Sequence, residues 1–154
     1  MILLKFLLDT NILSEPIRPE PNQYVLDKLE KHQDEIATAT IVWHELLFGC
    51  QRLPISRKRE KLEQYLYQTV TKLPILPYTF EAAEWHAGER ARLSLLGKTP
   101  PFADGQIAAI AKVNELILVT ANVSDYQMFS ELVIENWCEP KKESAKKEES
   151  IQNK

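Results

Sequence analysis

Short apolar runs alternate along the chain with longer stretches in which apolar residues recur every three or four positions. Runs of the first kind are typical of buried strands, and stretches of the second kind are typical of amphipathic helices. The apolar runs cover residues 2–8, 35–41, 73–79, 116–120 and 132–137. The helical stretches cover residues 22–32, 42–52, 56–72, 79–96 and 102–114, and a short helix is expected before Pro16. This alternation predicts an α/β domain with a mainly parallel sheet of about five strands, the last of them at an edge.

The boundaries of one helix can be placed more closely from its flanking residues. Thr79 is a preferred N-cap residue, and Glu81 and Glu84 supply negative charge near the start of the helix that follows it. Gly97 stands just past the end of the apolar pattern, where a glycine commonly ends a helix. The sequence therefore predicts a helix that is capped by Thr79 and ends near Leu96.

The composition is that of an ordinary globular domain. The chain has 154 residues, of which 44% are hydrophobic and 27% charged, so one compact domain can bury a core without disulfides. After Pro140 the sequence KKESAKKEESIQNK is polar, lacks aromatic residues and cannot bury enough apolar area to fold alone. We predict one domain over residues 1–139 and a disordered polar tail over residues 140–154.

Several classes of protein are excluded by the cysteines and by the apolar segments. Cys50 and Cys138 lie far apart without a C-x-x-C partner, which argues against a zinc ribbon, a redox motif or a disulfide scaffold. The first residues, MILLKFLLDT, carry a lysine inside the apolar run and no small-residue cleavage site, so they indicate a strand instead of a signal peptide. No segment approaches the roughly 20 apolar residues that a membrane-spanning helix needs. We expect a cytoplasmic protein that does not enter a membrane.

Three carboxylates interrupt apolar surfaces. Asp9 follows the first apolar run, at the carboxyl edge of the sheet, where open α/β sheets bind ligands. The N-cap of a following helix is an equally good interpretation of Asp9. Glu45, in IVWHELLFG, shares a helical face with the apolar residues 41, 42 and 48, and Asp104, in PPFADGQIAAIAKV, shares one with residues 107, 108 and 111. These two acids therefore point along apolar faces.

Carboxylates that meet in a partly buried place repel one another. At about 4 Å and an effective dielectric constant near 20, each pair costs on the order of 4 kcal/mol. No lysine or arginine stands beside these acids in the sequence, so the simplest compensating charge is a hard divalent cation with oxygen ligands. We expect Mg²⁺ or Mn²⁺ with open positions for a substrate phosphate and an activated water.

A second polar strand end follows the fourth apolar run. The segment LVTANVSDY ends that run at Thr120 and continues with Asn122 and Asp125. Either residue alone is more simply explained as a turn residue. Because the carboxyl ends of parallel strands meet at one edge of a sheet, we predict that this segment contributes to the same site as Asp9.

The four motifs LLDTNILSE, TATIVWHELLFG, PPFADGQIAAIA and LVTANVSDY, in this order, resemble those of PIN-domain ribonucleases. Within that group they are similar to VapC-type toxins of bacterial and archaeal toxin–antitoxin pairs, and the resemblance covers about residues 1–137. It implies a three-layer α/β/α fold, dependence on Mg²⁺ or Mn²⁺, and hydrolysis of phosphodiester bonds in single-stranded or loop RNA. It also implies a cognate antitoxin and a homodimer as partners.

The resemblance also assigns residues to the site. Asp9 and Asp104 match the principal metal ligands of the family, and Glu45 matches the second acid of the motif. Many PIN domains carry a fourth acid two residues after the strand-ending threonine, where this chain has Asn122. Asp125, Asn122 through a water, or neither residue fills that position. The predicted catalytic residues are Asp9, Glu45, Asp104 and Asp125, and the first three of them are the predicted metal ligands. The predicted substrate contacts are Thr10, Asn11, Arg90, Arg92, Thr120 and Asn122.

The net charge of −3, from 19 Lys and Arg against 22 Asp and Glu, is not that of a nucleic-acid binder. With four acids set aside around a cation, the remainder is slightly basic, so local patches matter more than the total. Arg90, Arg92 and Lys98 lie just before Asp104 and are placed to hold phosphates. A second basic cluster over residues 52–61 is diluted by glutamate and is better explained as a solvated face.

The histidines and tryptophans give weaker indications. The three histidines have no metal-ligand spacing, and His44 points about 100° away from the neighbouring Glu45 on a helix, so we interpret it as structural. Trp43, Trp85 and Trp137 could stack on bases, but their apolar neighbours favour the core or an interface.

Two other functions are alternatives to the nuclease. A phosphatase-like phosphotransfer enzyme would use Asp9 as its nucleophile, but such sites commonly have a second Asp where this chain has Asn11. A catalytically silent RNA-binding or interaction domain would have lost metal binding at Asn122, yet Asp9, Glu45 and Asp104 are all present. Metal-dependent RNA cleavage distinguishes the nuclease from both.

Overall fold

Residues 3–140 are described by the structure, a computed structural model, and they contain one parallel five-stranded sheet. The strands are β1 (Phe6–Leu8), β2 (Ile36–Ala39), β3 (Ile75–Leu76), β4 (Ile117–Val119) and β5 (Ile134–Glu135). Their order across the sheet is β3-β2-β1-β4-β5, and each neighbouring pair is parallel. The predicted tail lies outside the described residues except for Pro140, so the predicted domain boundary stays a prediction.

Six α-helices in the described part of the chain cover the sheet in a three-layer α/β/α arrangement. They are α1 (Thr10–Leu13), α2 (Gln23–Lys31), α3 (Thr40–Gln51), α4 (Arg57–Gln68), α5 (Phe80–Leu95) and α6 (Phe102–Val113). Short 3-10 turns lie at Glu15–Ile17, Val70–Lys72 and Val123–Asp125. None of the helices within residues 3–140 has both the length and the apolar content to cross a membrane. The predicted fold class is confirmed.

The strand order places the carboxyl ends of β1 and β4 side by side at the middle of one sheet edge. Phe6 of β1 pairs with Ile36 of β2 on one side and with Ile117 of β4 on the other. From β1 the chain continues to β2 and β3 on one side and then returns to form β4 and β5 on the other. Open parallel sheets bind ligands at such a reversal, outside the carboxyl ends of the strands.

The middle of the sheet and helix α6 form the centre of the core. Leu7, Leu8 and Leu118 are fully buried, and residues 107–111 of α6 form an uninterrupted buried segment. Gly97 has a φ of 74°, in the left-handed region that glycine adopts readily. The hydroxyl of Thr79 accepts a hydrogen bond from the backbone N–H of Ala82, so both predicted ends of α5 are confirmed.

The strands are shorter than the apolar runs that predicted them. β1 begins at Phe6 instead of residue 2, and Leu3 is 71% exposed. β2 ends at Ala39 because helix α3 begins at Thr40, two residues earlier than predicted. An apolar run reports burial, whereas a strand also needs a partner for its backbone, so the two need not end together.

The helix predicted over residues 56–72 is divided in the structure. Helix α4 ends at Gln68, and Val70–Lys72 form a separate 3-10 turn. Val70 and Leu66 are both fully buried, so the apolar spacing continues through the break and does not reveal it.

Candidate functional site

Asp9 lies directly after β1 and is the N-cap of α1. Its Oδ1 accepts a hydrogen bond of 2.8 Å from the backbone N–H of Thr10, and the residue is only 5% exposed. The cap interpretation therefore describes the backbone around Asp9 correctly. It does not account for the other oxygen of the carboxylate, which faces the end of β4.

The second oxygen, Oδ2 of Asp9, is held by hydroxyl groups from the β4 side of the site. Thr120 donates to it at 2.9 Å and Tyr126 donates to it at 3.3 Å. The side-chain amide of Asn11 is a longer donor at 3.4 Å. All of these donors are neutral, so they orient the carboxylate without cancelling its charge.

Asn11 connects the loop after β1 to the loop after β4. Oδ1 of Asn11 accepts a hydrogen bond of 2.9 Å from the backbone N–H of Ala121. The backbone N–H of Asn122 donates at 3.0 Å to Oγ1 of Thr120, the hydroxyl that in turn donates to Asp9. The segment LVTANVSDY therefore adjoins Asp9, as predicted.

Glu45 is placed beside α1 by helix α3. The hydroxyl of Thr10 donates to its Oε2 at 2.6 Å. Val42, Leu46 and Cys50 make the buried face of α3, whereas Glu45 is only partly buried and Phe48 is 58% exposed. The expectation that Phe48 and Glu45 share a buried face is thus wrong, because that side of the helix opens to solvent at the sheet edge.

Asp104 lies in the first turn of α6 and is partly buried. The next residue, Gly105, faces the buried ring of His86 on α5, and a Cβ at Gly105 would stand 2.1 Å from Nε2 of that ring. Nδ1 of His86 lies 2.8 Å from the hydroxyl of Tyr78. The absence of a side chain at Gly105 is what lets α6 approach α5 closely at the level of Asp104.

The four predicted acids act on one another electrostatically. Burial, followed by the negative charges of Asp9, Asp125 and Glu45 in that order of importance, raises the pKa of Asp104 from its usual 3.8 to about 6. A hydrogen bond with Tyr126 opposes this shift of the Asp104 pKa. Asp125 is exposed, at the end of the 3-10 turn after β4. The structure therefore brings all four acids into one negatively charged site.

The donor set of this site fits a hard divalent cation. The ion pairs among residues 3–140 involve Glu15, Glu35, Glu89 and Glu131, and none involves the four acids of the site. Among residues 3–140, no group of three or more His, Cys, Asp or Glu side chains is placed so that it could hold a metal ion. Mg²⁺ usually binds through one or two carboxylates and several waters, so the fit rests on fewer than three protein ligands.

The predicted substrate contacts fall into two groups. Thr120 is fully buried, and Thr10 and Asn11 are engaged within the site, so their side chains position the acids. Arg92 is bound by the Glu89 carboxylate and the carbonyl of Met128, a structural role that sequence reasoning did not anticipate.

Arg90 and Asn122 form the second group, because both are exposed. The guanidinium of Arg90 lies over the ring of Phe102, 5.2 Å from its centre, at the first position of α6. His44 is exposed too, and its ring stacks on Phe48 with ring centres 6.3 Å apart, so its interpretation as structural stays a prediction. Of the tryptophans, Trp137 is 2% exposed and belongs to the core, as predicted.

Tyr126 is the site residue that sequence reasoning missed. It follows Asp125 directly, is 2% exposed and donates to Asp9. Tyr126 is the last residue of the motif LVTANVSDY, but no periodic pattern indicates where the side chain of an aromatic residue at the end of a polar loop points. The 3-10 turn at Val123–Asp125 is what turns its side chain back toward β1.

Residues 6–127 match the family model of the PIN domain. The chain belongs to the PIN-domain family. The match covers all four motifs, so the resemblance inferred from them is confirmed.

Named relatives agree with the family. This PIN domain is 33% identical over 135 residues to Toxin FitB of Neisseria gonorrhoeae, across 85% of this chain and 97% of that one. It is 30% identical to Ribonuclease VapC2 of Haemophilus influenzae, across 88% of this chain and 99% of that one. The solved structure of DNA-bound VapBC from Salmonella typhimurium superposes with a TM-score of 0.76 at 27% identity, covering 88% of this chain and 100% of that one. PIN-domain ribonucleases are metal-dependent in general.

Proposed function

We propose that this PIN domain is a Mg²⁺- or Mn²⁺-dependent endoribonuclease and the toxin of a toxin–antitoxin pair. The observation that carries the proposal is the group of four acids around the carboxyl ends of β1 and β4. Asp9 and Glu45 accept hydrogen bonds from neutral donors, and no ion pair within residues 3–140 involves any of the four. The relatives named Toxin FitB and Ribonuclease VapC2 support the reaction class and the toxin role.

Asp9 and Asp104 are the residues that would hold the metal. Asp9 is fixed by four donors, and Asp104 is the acid on which the charges of the other three converge. Glu45 is held through Oε2 by Thr10. Asp125 is more exposed than the other acids and stands in a loop, which suits an indirect contact through water.

When bound, the cation would polarise a phosphate of the RNA and activate a water for attack on phosphorus. The chain itself orients the reacting groups. The hydroxyl of Thr10 donates to Oε2 of Glu45, and Oε1 accepts no hydrogen bond from residues 3–140. Oε1 is therefore available to accept a proton from the attacking water. Because the ribose 2′-hydroxyl is not needed as a nucleophile, cleavage should leave a 5′-phosphate and a 3′-hydroxyl.

An open cavity beside Glu45 provides room for the RNA. It has a volume of about 360 Å³ and lies between the first turns of α3 and α6. Its polar lining includes His44, Tyr78 and Gln106, and Ala103 and Ile41 give it an apolar part. We propose that one nucleotide next to the scissile phosphate occupies this cavity, while Arg90 and Asn122 contact the strand from the rim.

An RNA cleavage assay with purified protein tests the enzyme. The wild-type chain and Asp9→Asn are incubated with total RNA, with Mg²⁺ or Mn²⁺, and with EDTA as a control. We expect metal-dependent cleavage by the wild type, with ends that accept ligation through a 5′-phosphate, and none by the variant. If the wild type leaves RNA intact with either metal, the silent interaction domain replaces the nuclease.

A growth assay tests the toxin role and the cytoplasmic site of action. Expression of the chain alone should arrest bacterial growth, and co-expression of a small antitoxin encoded next to it should restore growth. Asp9→Asn should be harmless without the antitoxin, which links the arrest to catalysis. Normal growth at high wild-type expression would argue against a toxin. The proposed homodimer is checked separately by the mass of the purified protein in solution.

A further inference from the structure

We propose that Tyr126 is a positioning residue of the metal site, whose hydroxyl fixes the Asp9 carboxylate so that Oδ1 is the oxygen left for the cation. This inference rests on the proposed function in one respect, since it takes a divalent cation as the occupant of the acidic site. It does not require that the substrate be RNA.

The hydrogen bonds of Asp9 show which oxygen is occupied. An ionised carboxylate has about four acceptor positions, two on each oxygen. Oδ2 accepts the hydroxyls of Thr120 at 2.9 Å and Tyr126 at 3.3 Å, with the amide of Asn11 more distant at 3.4 Å. Oδ1 accepts only the backbone N–H of Thr10, at 2.8 Å. Among the described residues, the open acceptor position of Asp9 is therefore on Oδ1.

Tyr126 and Thr120 both donate to Oδ2 of Asp9, but they reach it from different parts of the chain. Thr120 directly follows β4, beside Asp9, whose backbone N–H donates to the carbonyl of Val119, and its hydroxyl also accepts the backbone N–H of Asn122. Tyr126 reaches Asp9 from beyond the 3-10 turn, where its hydroxyl donates to Oδ2 at 3.3 Å. It therefore connects the segment that follows this turn to the carboxylate of Asp9.

The phenol group is suited to act as a permanent donor. Tyr126 is 2% exposed, so its hydroxyl has little access to water and depends on a protein acceptor. Oδ2 of Asp9 is that acceptor, at 3.3 Å from the phenol oxygen.

Loss of the hydroxyl should loosen Asp9 without emptying the core. Phenylalanine keeps the ring, which packs against Phe129 with ring centres 6.3 Å apart. The terminal torsion of an aspartate is broad, so its carboxylate turns easily when a donor is removed. A cation would then have to order the carboxylate and Asp104 as it binds, and its affinity would fall.

The test is a Mn²⁺ titration of the purified full chain, with free Mn²⁺ measured by its electron paramagnetic resonance signal. The variant is Tyr126→Phe, and the matched control is Tyr65→Phe, which removes another mostly buried hydroxyl, one that donates to the carbonyl of Leu13 at 2.6 Å. Partners of metal ligands typically change affinity by 10–100-fold, so we expect the Mn²⁺ Kd of Tyr126→Phe to rise about tenfold. The Kd of the control should stay within about twofold of wild type.

A second variant keeps the test decisive if Tyr126→Phe folds poorly by circular dichroism. Thr120→Val removes the other hydroxyl on Oδ2 and should also weaken Mn²⁺ binding. A merely structural tyrosine would lower the Tm of Tyr126→Phe and leave its Kd unchanged, and that result overturns the inference. Tighter binding by Tyr126→Phe would overturn it as well, because the hydroxyl would then compete with the cation for Asp9.

The outcomes for the proposed function are separate from these. If the wild type binds Mn²⁺ but does not cleave RNA, the nuclease fails and the role of Tyr126 is still decided by the Kd values. If the wild type does not bind Mn²⁺ at all, the positioning role fails too. Where cleavage is present, activity of Tyr126→Phe should be lost at low Mn²⁺ and recover at saturating Mn²⁺, which a folding defect would not do.

Discussion

Two of the buried carboxylates among residues 3–140, those of Glu89 and Asp9, have different partners. Glu89 on α5 is 8% exposed and meets Arg92 through two hydrogen bonds of 2.9 and 3.0 Å, with the backbone N–H of Ser130 as a further donor. Asp9 is 5% exposed and meets only neutral donors. The first carboxylate is paired within the fold, whereas the second is left with its charge.

The same contrast appears in the pKa values of two neighbouring helices. The hydrogen bond from Arg92 is the main reason that the pKa of Glu89 on α5 is lowered. Burial and three other carboxylates raise the pKa of Asp104 on α6. A buried acid with its cation in place stabilises the fold, and a group of acids without one destabilises it until a cation arrives. The difference supports the proposal that Asp104 on α6 is a metal ligand.

The largest effect, on RNA cleavage, should come from removing the charge of one of the carboxylates that have no cationic partner. Asp104→Asn should reduce metal-dependent RNA cleavage by about hundredfold or more, because the cation's contribution to stabilising charge in the reaction is several kcal/mol. The same variant should melt at an equal or higher temperature than wild type without metal, since it relieves repulsion. Initial cleavage rates and a melt in EDTA measure the two effects.

The control for this prediction is Asp34→Asn, at an exposed acid in the turn before β2. It should change neither the cleavage rate nor the response to metal. Unchanged cleavage by Asp104→Asn would remove Asp104 from the site, and a collapse of its circular dichroism would make it a structural cap.

The unpaired acids were accessible to sequence reasoning because each one breaks a pattern. Asp9 ends an apolar run, and Asp104 precedes the buried segment 107–111 on its own helix. The pairing of Arg92 with Glu89 was also visible, as opposite charges three residues apart on a helix. Arg92 was nevertheless predicted to contact substrate, since its place before Asp104 was given more weight than its neighbour on the helix.

The role of Tyr126 and the exact ends of the strands could not be predicted from local sequence patterns. The hydroxyl of Tyr126 contacts Asp9, which is 117 positions away in the chain, and the turn that makes this contact possible has no periodic sequence pattern. The strand ends depend on which backbone groups find partners across the sheet, and apolar runs do not report this. Local patterns therefore predicted the order of the elements and the acids, while contacts between distant segments required the structure.

The second-largest effect concerns helices α5 and α6, which carry Glu89 and Asp104 and approach each other closely at Gly105. Gly105→Ala should lower the free energy of unfolding by about 1–3 kcal/mol, because the new methyl group overlaps the ring of His86. Gly88→Ala is the matched control, since nothing lies within 4 Å of a Cβ there. It should be neutral or stabilising by up to about 1 kcal/mol, as alanine favours helix over glycine. Urea denaturation of both variants measures the difference, and equal values would show that α5 and α6 are not in close contact at Gly105.

A smaller loss is expected from breaking the paired carboxylate. Glu89→Gln should destabilise the fold by about 1 kcal/mol, because a charge-assisted contact to Arg92 is lost and solvent already screens the partly exposed guanidinium. RNA cleavage per folded molecule should be unchanged. Glu84→Gln, at an exposed position of the same helix, should change the free energy of unfolding by less than about 0.5 kcal/mol. A loss of cleavage in Glu89→Gln without a loss of stability would move Glu89 into the functional site.

The smallest effect is a difference of a few degrees in the pH dependence of the Tm, measured in EDTA. The pKa of Asp104 is about 6 in the folded chain against 3.8 ordinarily, so between these values the folded state binds more protons than the unfolded state. The Tm of wild type should therefore rise relative to the Tm of Asp104→Asn as the pH falls from 7 toward 4. Glu89 has a lowered pKa, so its stabilising contribution is present above its ordinary 4.5 and is lost below that value. The Tm deficit of Glu89→Gln should accordingly stay constant down to about pH 5 and shrink only below it. If the Tm values of wild type and Asp104→Asn stay parallel from pH 7 to pH 4, the carboxylate of Asp104 is not confined among other charges, and the contrast between the two regions loses its electrostatic basis.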